Sequence, residues 1–190
     1  MNLYTETGTP LHGFNQCGTR PFEGAGARPR TVDAKIDFVY PEVTFPDDAL
    51  YREWGEEKLR TMVRHHHTLL RKTVLGTMFP ADDAAFEAAT EKAADFFVEA
   101  LGGKKHFSSA HGHPALRMRH LHLEVDEKAR DIWLMMYRKT LSDLAMPAHL
   151  AEPFWTWIEA LSIRMINRRT TVEPIRRYPY GAFTAPKGME

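Results

Sequence analysis

From about residue 46 onward, apolar side chains recur at helical spacing; before it they do not. Leu59, Met62, Val63, His66 and Leu70 fall at i, i+3, i+4, i+7 and i+11 and predict an amphipathic helix over about 56–72. A shorter helix precedes it, signalled by Pro46-Asp47-Asp48 and broken at Gly55. Phe86, Ala89, Ala93, Phe96 or Phe97, and Leu101 give the inner face of a second long helix, capped by Asp82 or Asp83 and ended by Gly102-Gly103. A short helix is expected to begin at Pro114 and run about two turns. Asp126 then caps a helix carrying Ala129, Ile132, Trp133, Met136 and Leu141. Pro147 ends it, and Pro153 is expected in the first turn of a last helix lined by Phe154, Ile158, Leu161 and Met165. The fold class is all-α.

The two ends read differently. Residues 1–46 are rich in Gly, Pro and Thr, and only Ile36-Asp-Phe38-Val-Tyr40 alternates with the period of an extended strap. Such a segment is either an arm laid over the globular part or partly disordered, and its residues favour neither. Pro174, Pro179 and Pro186 make the other end irregular. The expected organisation is an N-terminal extension (1–46), a helical domain (47–170) and a C-terminal tail (171–190).

Totals narrow the classes of function. At 190 residues the chain holds one good core. Lys+Arg and Asp+Glu are both 25, so no net charge recruits nucleic acid or anionic lipid. The single Cys17 excludes an intrachain disulfide, a Cys-rich metal site and thioether attachment of a c-type haem. No apolar run approaches the ~20 residues of a membrane span, and the start lacks a basic n-region and apolar h-region. A cytoplasmic protein without membrane or nucleic-acid partners is expected.

The candidate chemistry lies in His111-Gly-His-Pro-Ala-Leu-Arg-Met-Arg-His120. A helix from Pro114 puts Leu116 and His120 on one face, with Arg117 and Arg119 beside the imidazole. That set suits a flat ligand with a metal at its centre and carboxylates at its rim, as in haem: imidazole takes an axial position and arginines pair the propionates. On spacing alone, a paired histidine buried in the core accounts for the pattern as well.

His111 to Trp133, HGHPALRMRHLHLEVDEKARDIW, resembles the core of the group II truncated haemoglobins, the two-on-two globins, and a thinner similarity runs from about 59 to 167. The resemblance implies a truncated globin with haem b held by His120 as proximal ligand. It places Trp133 on the distal wall, where it contacts bound ligand, Phe79 as the aromatic stacked on the haem, and Ala89 nearest the iron. Ala93 and Phe96 continue that distal helix, and Phe107 packs on the proximal side. Arg117, Lys92 and His111 are the candidate propionate partners, with Arg117 first. Read without the family, Ala89 and Ala93 suit close helix packing equally well.

His65-His66-His67 departs from the family. Consecutive helical positions point ~100° apart, so the three cannot share one metal ion. Only His66 lies on the apolar stripe, where the family usually has a tyrosine that bonds dioxygen; His65 and His67 should be wetter. His66 is therefore the expected distal residue, as hydrogen-bond donor, sixth iron ligand or acid–base group; the other reading is a buried histidine bonded to a backbone carbonyl. The resemblance implies binding of a diatomic gas (oxygen, nitric oxide) or a small anion, with peroxidase-like or nitric oxide dioxygenase-like turnover as an extension. The electron donor is unspecified, and a homodimer is one open arrangement. Two rivals stand: a bis-histidine redox or sensing haem protein, and a haem-free interaction module on a globin scaffold.

Overall fold

Helix α1 (Glu56–Arg71) buries Leu59, Met62, Val63, His66 and Leu70, the five residues of the expected stripe. The computed structural model describes residues 40–182, so the readings for 1–39, including Cys17 and most of the strap, lie outside the described residues. The remaining helices are α2 (Asp83–Ala100), α3 (His106–His111), α4 (Leu116–Arg119), α5 (Glu127–Asp143) and α6 (Ala148–Met165). A π-type turn, Leu50–Trp54, leads into α1, and a 3-10 turn, Val74–Met78, leaves it. No strand occurs among the described residues.

Side-chain caps set the N-terminal boundaries of α2 and α5 as expected. Asp82 Oδ1 accepts from Ala85 N–H at 2.8 Å, and Asp126 Oδ1 from Ala129 N–H at 2.7 Å. Gly102 closes α2 at φ +96°, where a Cβ would stand 2.6 Å from Cβ of Asp48, so neither backbone nor space admits a larger residue.

Helix α1 packs on both α2 and α5, and α5 packs on α6, giving two helix pairs stacked face to face. Trp155, Trp157, Tyr137 and Phe154 are the largest fully buried side chains of the layer between them. Burying each stabilises the fold by roughly 1.5–3 kcal/mol relative to exposure. Along the α1–α2 seam, Arg60 pairs with Asp95 at 2.8 Å and Arg64 with Glu91 at 2.6 Å. No helix among the described residues is long and apolar enough to cross a membrane.

Three boundaries differ from the sequence reading. Helix α3 was not expected; only Phe107 is buried in it, so it carries no apolar period. Helix α4 is shorter than two turns because Ala115 is left-handed (φ +41°), which leaves Pro114 outside it. Pro153 lies in the second turn of α6 rather than the first. The segment after residue 170 holds no long helix, yet it is pinned: the Trp155 indole N–H donates to the Tyr178 carbonyl at 2.6 Å.

Candidate functional site

His120 stands at the C-terminal end of α4. Its backbone N–H donates to the carbonyls of Leu116 (3.1 Å) and Arg117 (3.2 Å), and its ring Nδ1 lies 2.7 Å from the Leu116 carbonyl. A carbonyl can only accept, so Nδ1 carries the proton and Nε2 keeps a bare lone pair. No partner for Nε2 exists among the described residues. That is the state of an imidazole ready to bind a metal.

The arginines beside it do different work from that expected. Arg117 Nη1 donates to the carbonyls of Ile166 (2.9 Å) and Arg164, and its guanidinium lies 5.5 Å from the Tyr40 ring centre. Arg119 donates to the carbonyls of Pro114 (2.8 Å) and His111 (3.0 Å) and lies over Phe107. Both tie α4 to its surroundings, which corrects the reading of Arg117 as a side chain free to pair an anionic rim. His111 is exposed, and Lys92 is half-buried on α2 without a partner among the described residues.

Three α2 side chains, Phe86, Ala89 and Ala93, are only half-buried, whereas Ala94 and Phe97 on the adjoining face are buried. Trp133 of α5 is half-buried too, with no partner for its indole N–H among the described residues. Phe79 packs edge-on against His67, ring centres 5.3 Å apart, and against Phe86 at 5.5 Å. Phe96 and Phe107 instead meet each other at 5.8 Å within the core cluster, so they back the site rather than line it.

The histidine run resolves into three unlike residues. His65 Nε2 meets Asp143 at 2.7 Å near the surface. His66 is fully buried, its ring stacked on Tyr137 with centres 3.5 Å apart and its Nε2–H donating to the Trp133 carbonyl at 3.2 Å. Burial, then the neighbouring imidazoles, holds its pKa well below the ordinary value against the pull of that carbonyl. Its apolar-stripe position carries it into the α1–α5 core, and its one donor is engaged there. This setting is not the one expected of a distal donor, iron ligand or acid–base group.

His67 is the member that turns toward α2 and the 3-10 turn, against Thr90 and Phe79. Its Nδ1 is hydrogen-bonded to Thr90 Oγ1 at 3.0 Å. Burial first, and then its interaction with the His120 imidazole, lowers its pKa to about 4. His67 is half-buried, less wet than its flanking position suggested. Neither His67 nor Thr90 stood out in the sequence; the only signal was a histidine one place off the apolar stripe.

Residues 49–167 match the family described as bacterial-like globin. The chain belongs to the bacterial-like globins. This globin is 26% identical over 122 residues to the group 2 truncated hemoglobin YjbI of Bacillus subtilis, a match covering 64% of this chain and 90% of that protein. The crystal structure of phosphate-bound Hell's gate globin IV superposes with a TM-score of 0.76 at 45% identity, over 81% of this chain and 96% of the other. The group II truncated hemoglobin from Bacillus anthracis gives 0.59 at 26% identity, over 69% and 95%. The stacked helix pairs are thus the two-on-two sandwich of the truncated globins, a haem-binding family.

A haem fits the residues that this globin brings together. The His120 imidazole is held at Nδ1 by the Leu116 carbonyl with Nε2 bare, and α2 keeps small Ala89 and Ala93 half-buried beside the polar His67–Thr90 pair.

Proposed function

We propose that this globin binds haem b through His120 Nε2 and takes a diatomic gas or small anion on the opposite face, beside His67 and Trp133. The observation that supports this most directly is the His120 imidazole, held at Nδ1 by the Leu116 carbonyl and bare at Nε2. Haem, when bound, supplies an iron that takes up small ligands and exchanges electrons. The protein's share is to hold that imidazole, wall off water and place hydrogen-bond donors.

His67 takes over the distal role first expected of His66. With the Thr90 hydroxyl donating to Nδ1, the His67 proton sits on Nε2, where it can be given to a bound ligand. A neutral histidine is a donor to anions and gases alike, and its low pKa keeps it neutral across the physiological range. The phosphate-bound state of Hell's gate globin IV, 45% identical, supports a small anion as one ligand class. Trp133 offers an indole N–H from α5, and Phe79, Ala89 and Ala93 form the apolar wall. Lys92 and His111 are the remaining candidates for a propionate, now that Arg117 serves the backbone. Peroxide or nitric oxide turnover would use His67 to hold the proton.

The test is the visible spectrum of the haem-reconstituted, reduced protein. A five-coordinate high-spin ferrous spectrum is expected, lost in His120→Gly and restored by added imidazole. Low-spin bands in both oxidation states would instead put a second histidine on the iron. Protein that stays colourless after haem addition would leave the scaffold as an interaction module.

A further inference from the structure

The segment that carries the axial imidazole is weakly built on its own. Helix α4 has four residues, starts from a left-handed Ala115 and buries none of its side chains. Only Leu116 packs against the core, and only in part, so the hydrogen bonds of its flanks carry much of its placement. On the C-terminal flank they converge on one side chain beyond the end of α6.

Asn167 Nδ2 donates to the His120 carbonyl at 2.9 Å and to the Leu123 carbonyl at 2.8 Å. Its Oδ1 accepts from Val125 N–H at 3.0 Å. Its own backbone N–H donates to the Val125 carbonyl at 2.9 Å, as does that of Arg168 at 3.0 Å. Leu123 N–H also reaches the His120 carbonyl at 3.0 Å, closing the chain after His120 into a turn that the carboxamide then clips to α6. Two carbonyls and one N–H fix which way the amide faces, since only a carboxamide offers two donors and an acceptor in that arrangement. A carboxylate of the same shape would set lone pairs against both carbonyls and supply no donor.

We propose that Asn167 is the positioning residue for the axial imidazole: its carboxamide fixes His120 from the backbone side while the Leu116 carbonyl fixes the ring. The proposal rests on the haem reading given above. Asn167 touches neither haem nor ligand; it acts through the place of His120. Outer-shell partners of metal ligands govern orientation and affinity in this way. Loss of the clip lets the 120–125 turn move relative to α6, and the imidazole with it.

The experiment uses the full-length haem-reconstituted protein, comparing parent, Asn167→Asp, Asn167→Ser and the control Arg168→Gln. Arg168 lies next along the chain and makes only a surface pair with Glu124 through its side chain. Two readouts are taken: the iron–histidine stretching band of the ferrous protein by resonance Raman, and the rate of haem loss to excess apomyoglobin. Both Asn167 variants should shift and broaden the band and lose haem about tenfold faster, with Arg168→Gln matching the parent. Variants that melt earlier yet keep the parental band and haem-loss rate would reduce Asn167 to a structural residue and overturn the proposal. Should neither variant fold, the parent still decides. Haem binding should slow exchange of the Val125 amide, which donates to Asn167 Oδ1, by about tenfold or more, and unchanged exchange overturns the proposal. A band that survives in His120→Gly would show the haem reading itself to be at fault, which separates the two failures.

Discussion

The His66 imidazole donates to the backbone carbonyl of Trp133 across 3.2 Å, joining α1 to α5 at the residue whose side chain walls the site. The same ring stacks on Tyr137, one turn further along α5, at 3.5 Å. Trp133 and Tyr137 in turn meet edge to face at 4.5 Å, so one buried histidine supports both aromatics. The histidine on the apolar stripe is thus part of the core, and the one beside it pairs with Thr90 of α2.

Replacing His66 by Ala should therefore act on stability. The lost hydrogen bond, stack and filled volume should together cost about 2–4 kcal/mol. Denaturant unfolding of the haem-free protein measures this. The ferrous axial spectrum of the refolded variant should stay that of the parent, and a change from one to two axial histidines, or the reverse, would contradict this placement.

Substituting His67 by Leu should do the opposite. Its ring meets Thr90, Phe79 and, at 5.8 Å, His66, with a single hydrogen bond among them, so the fold should change by under ~1 kcal/mol. Losing one donor to a bound anion should speed its release about 10- to 100-fold, the equivalent of ~1.5–3 kcal/mol. Stopped-flow dissociation of azide from the ferric protein gives the rate. Thr90→Val should show a smaller effect in the same direction, because it frees the imidazole to change tautomer.

Both histidines bear on pH. Their folded-state pKa values lie below the unfolded value, about 4 for His67 and lower by direction for His66. The unfolded chain therefore binds more protons than the folded one between the two values. The sign follows: stability is full above about pH 6.5 and falls as pH drops toward 4, by up to ~1.4 kcal/mol per unit for each histidine. Unfolding free energies of the haem-free protein between pH 7 and 5 should show this slope. His66→Gln/His67→Gln should flatten it, since the lowered carboxylates Glu91, Glu127 and Asp143 titrate below that window.

How far the sequence revealed this arrangement depends on the kind of signal. The stripe Leu59–Leu70 and the Asp82 and Asp126 caps are local patterns, and the helices they set stand where expected. The family was legible through the motif around His120. His66 was misread because the apolar stripe marks what is buried, and buried in a two-layer fold is not the same as facing the ligand. The Arg117 reading failed because its partners, the carbonyls of Arg164 and Ile166, lie 47 and 49 residues away in sequence. Asn167 and Thr90 were invisible for the same reason, each a single polar residue whose role exists only once distant segments meet.

The last prediction concerns the segment after α6. Glu159 is 3% exposed, and its Oε1 accepts from Arg130 Nη2 at 2.6 Å; its Oε2 accepts from Arg177 Nη2 at 2.7 Å. Arg130, also buried, donates through Nη1 to the Arg176 carbonyl at 2.8 Å, while the Tyr178 hydroxyl donates to Asp131 at 2.8 Å. A buried carboxylate thus joins α5, α6 and the 176–178 strand of chain. Glu159→Leu takes the buried carboxylate from Arg130, whose guanidinium keeps only the half-exposed Asp131 at 3.5 Å as a counter-charge, and this should cost about 3–5 kcal/mol. It should also release the segment, so trypsin should cut after Arg176 and Arg177 in the variant while sparing the parent. Arg130→Met with Glu159→Leu removes both charges and should recover most of the stability, because the penalty lies in the orphaned charge. Cleavage should persist in that double variant, as the Arg176 carbonyl has lost its donor. Protection of the double variant to the parental level would show that Trp155 and Asp131 suffice to hold the segment in place.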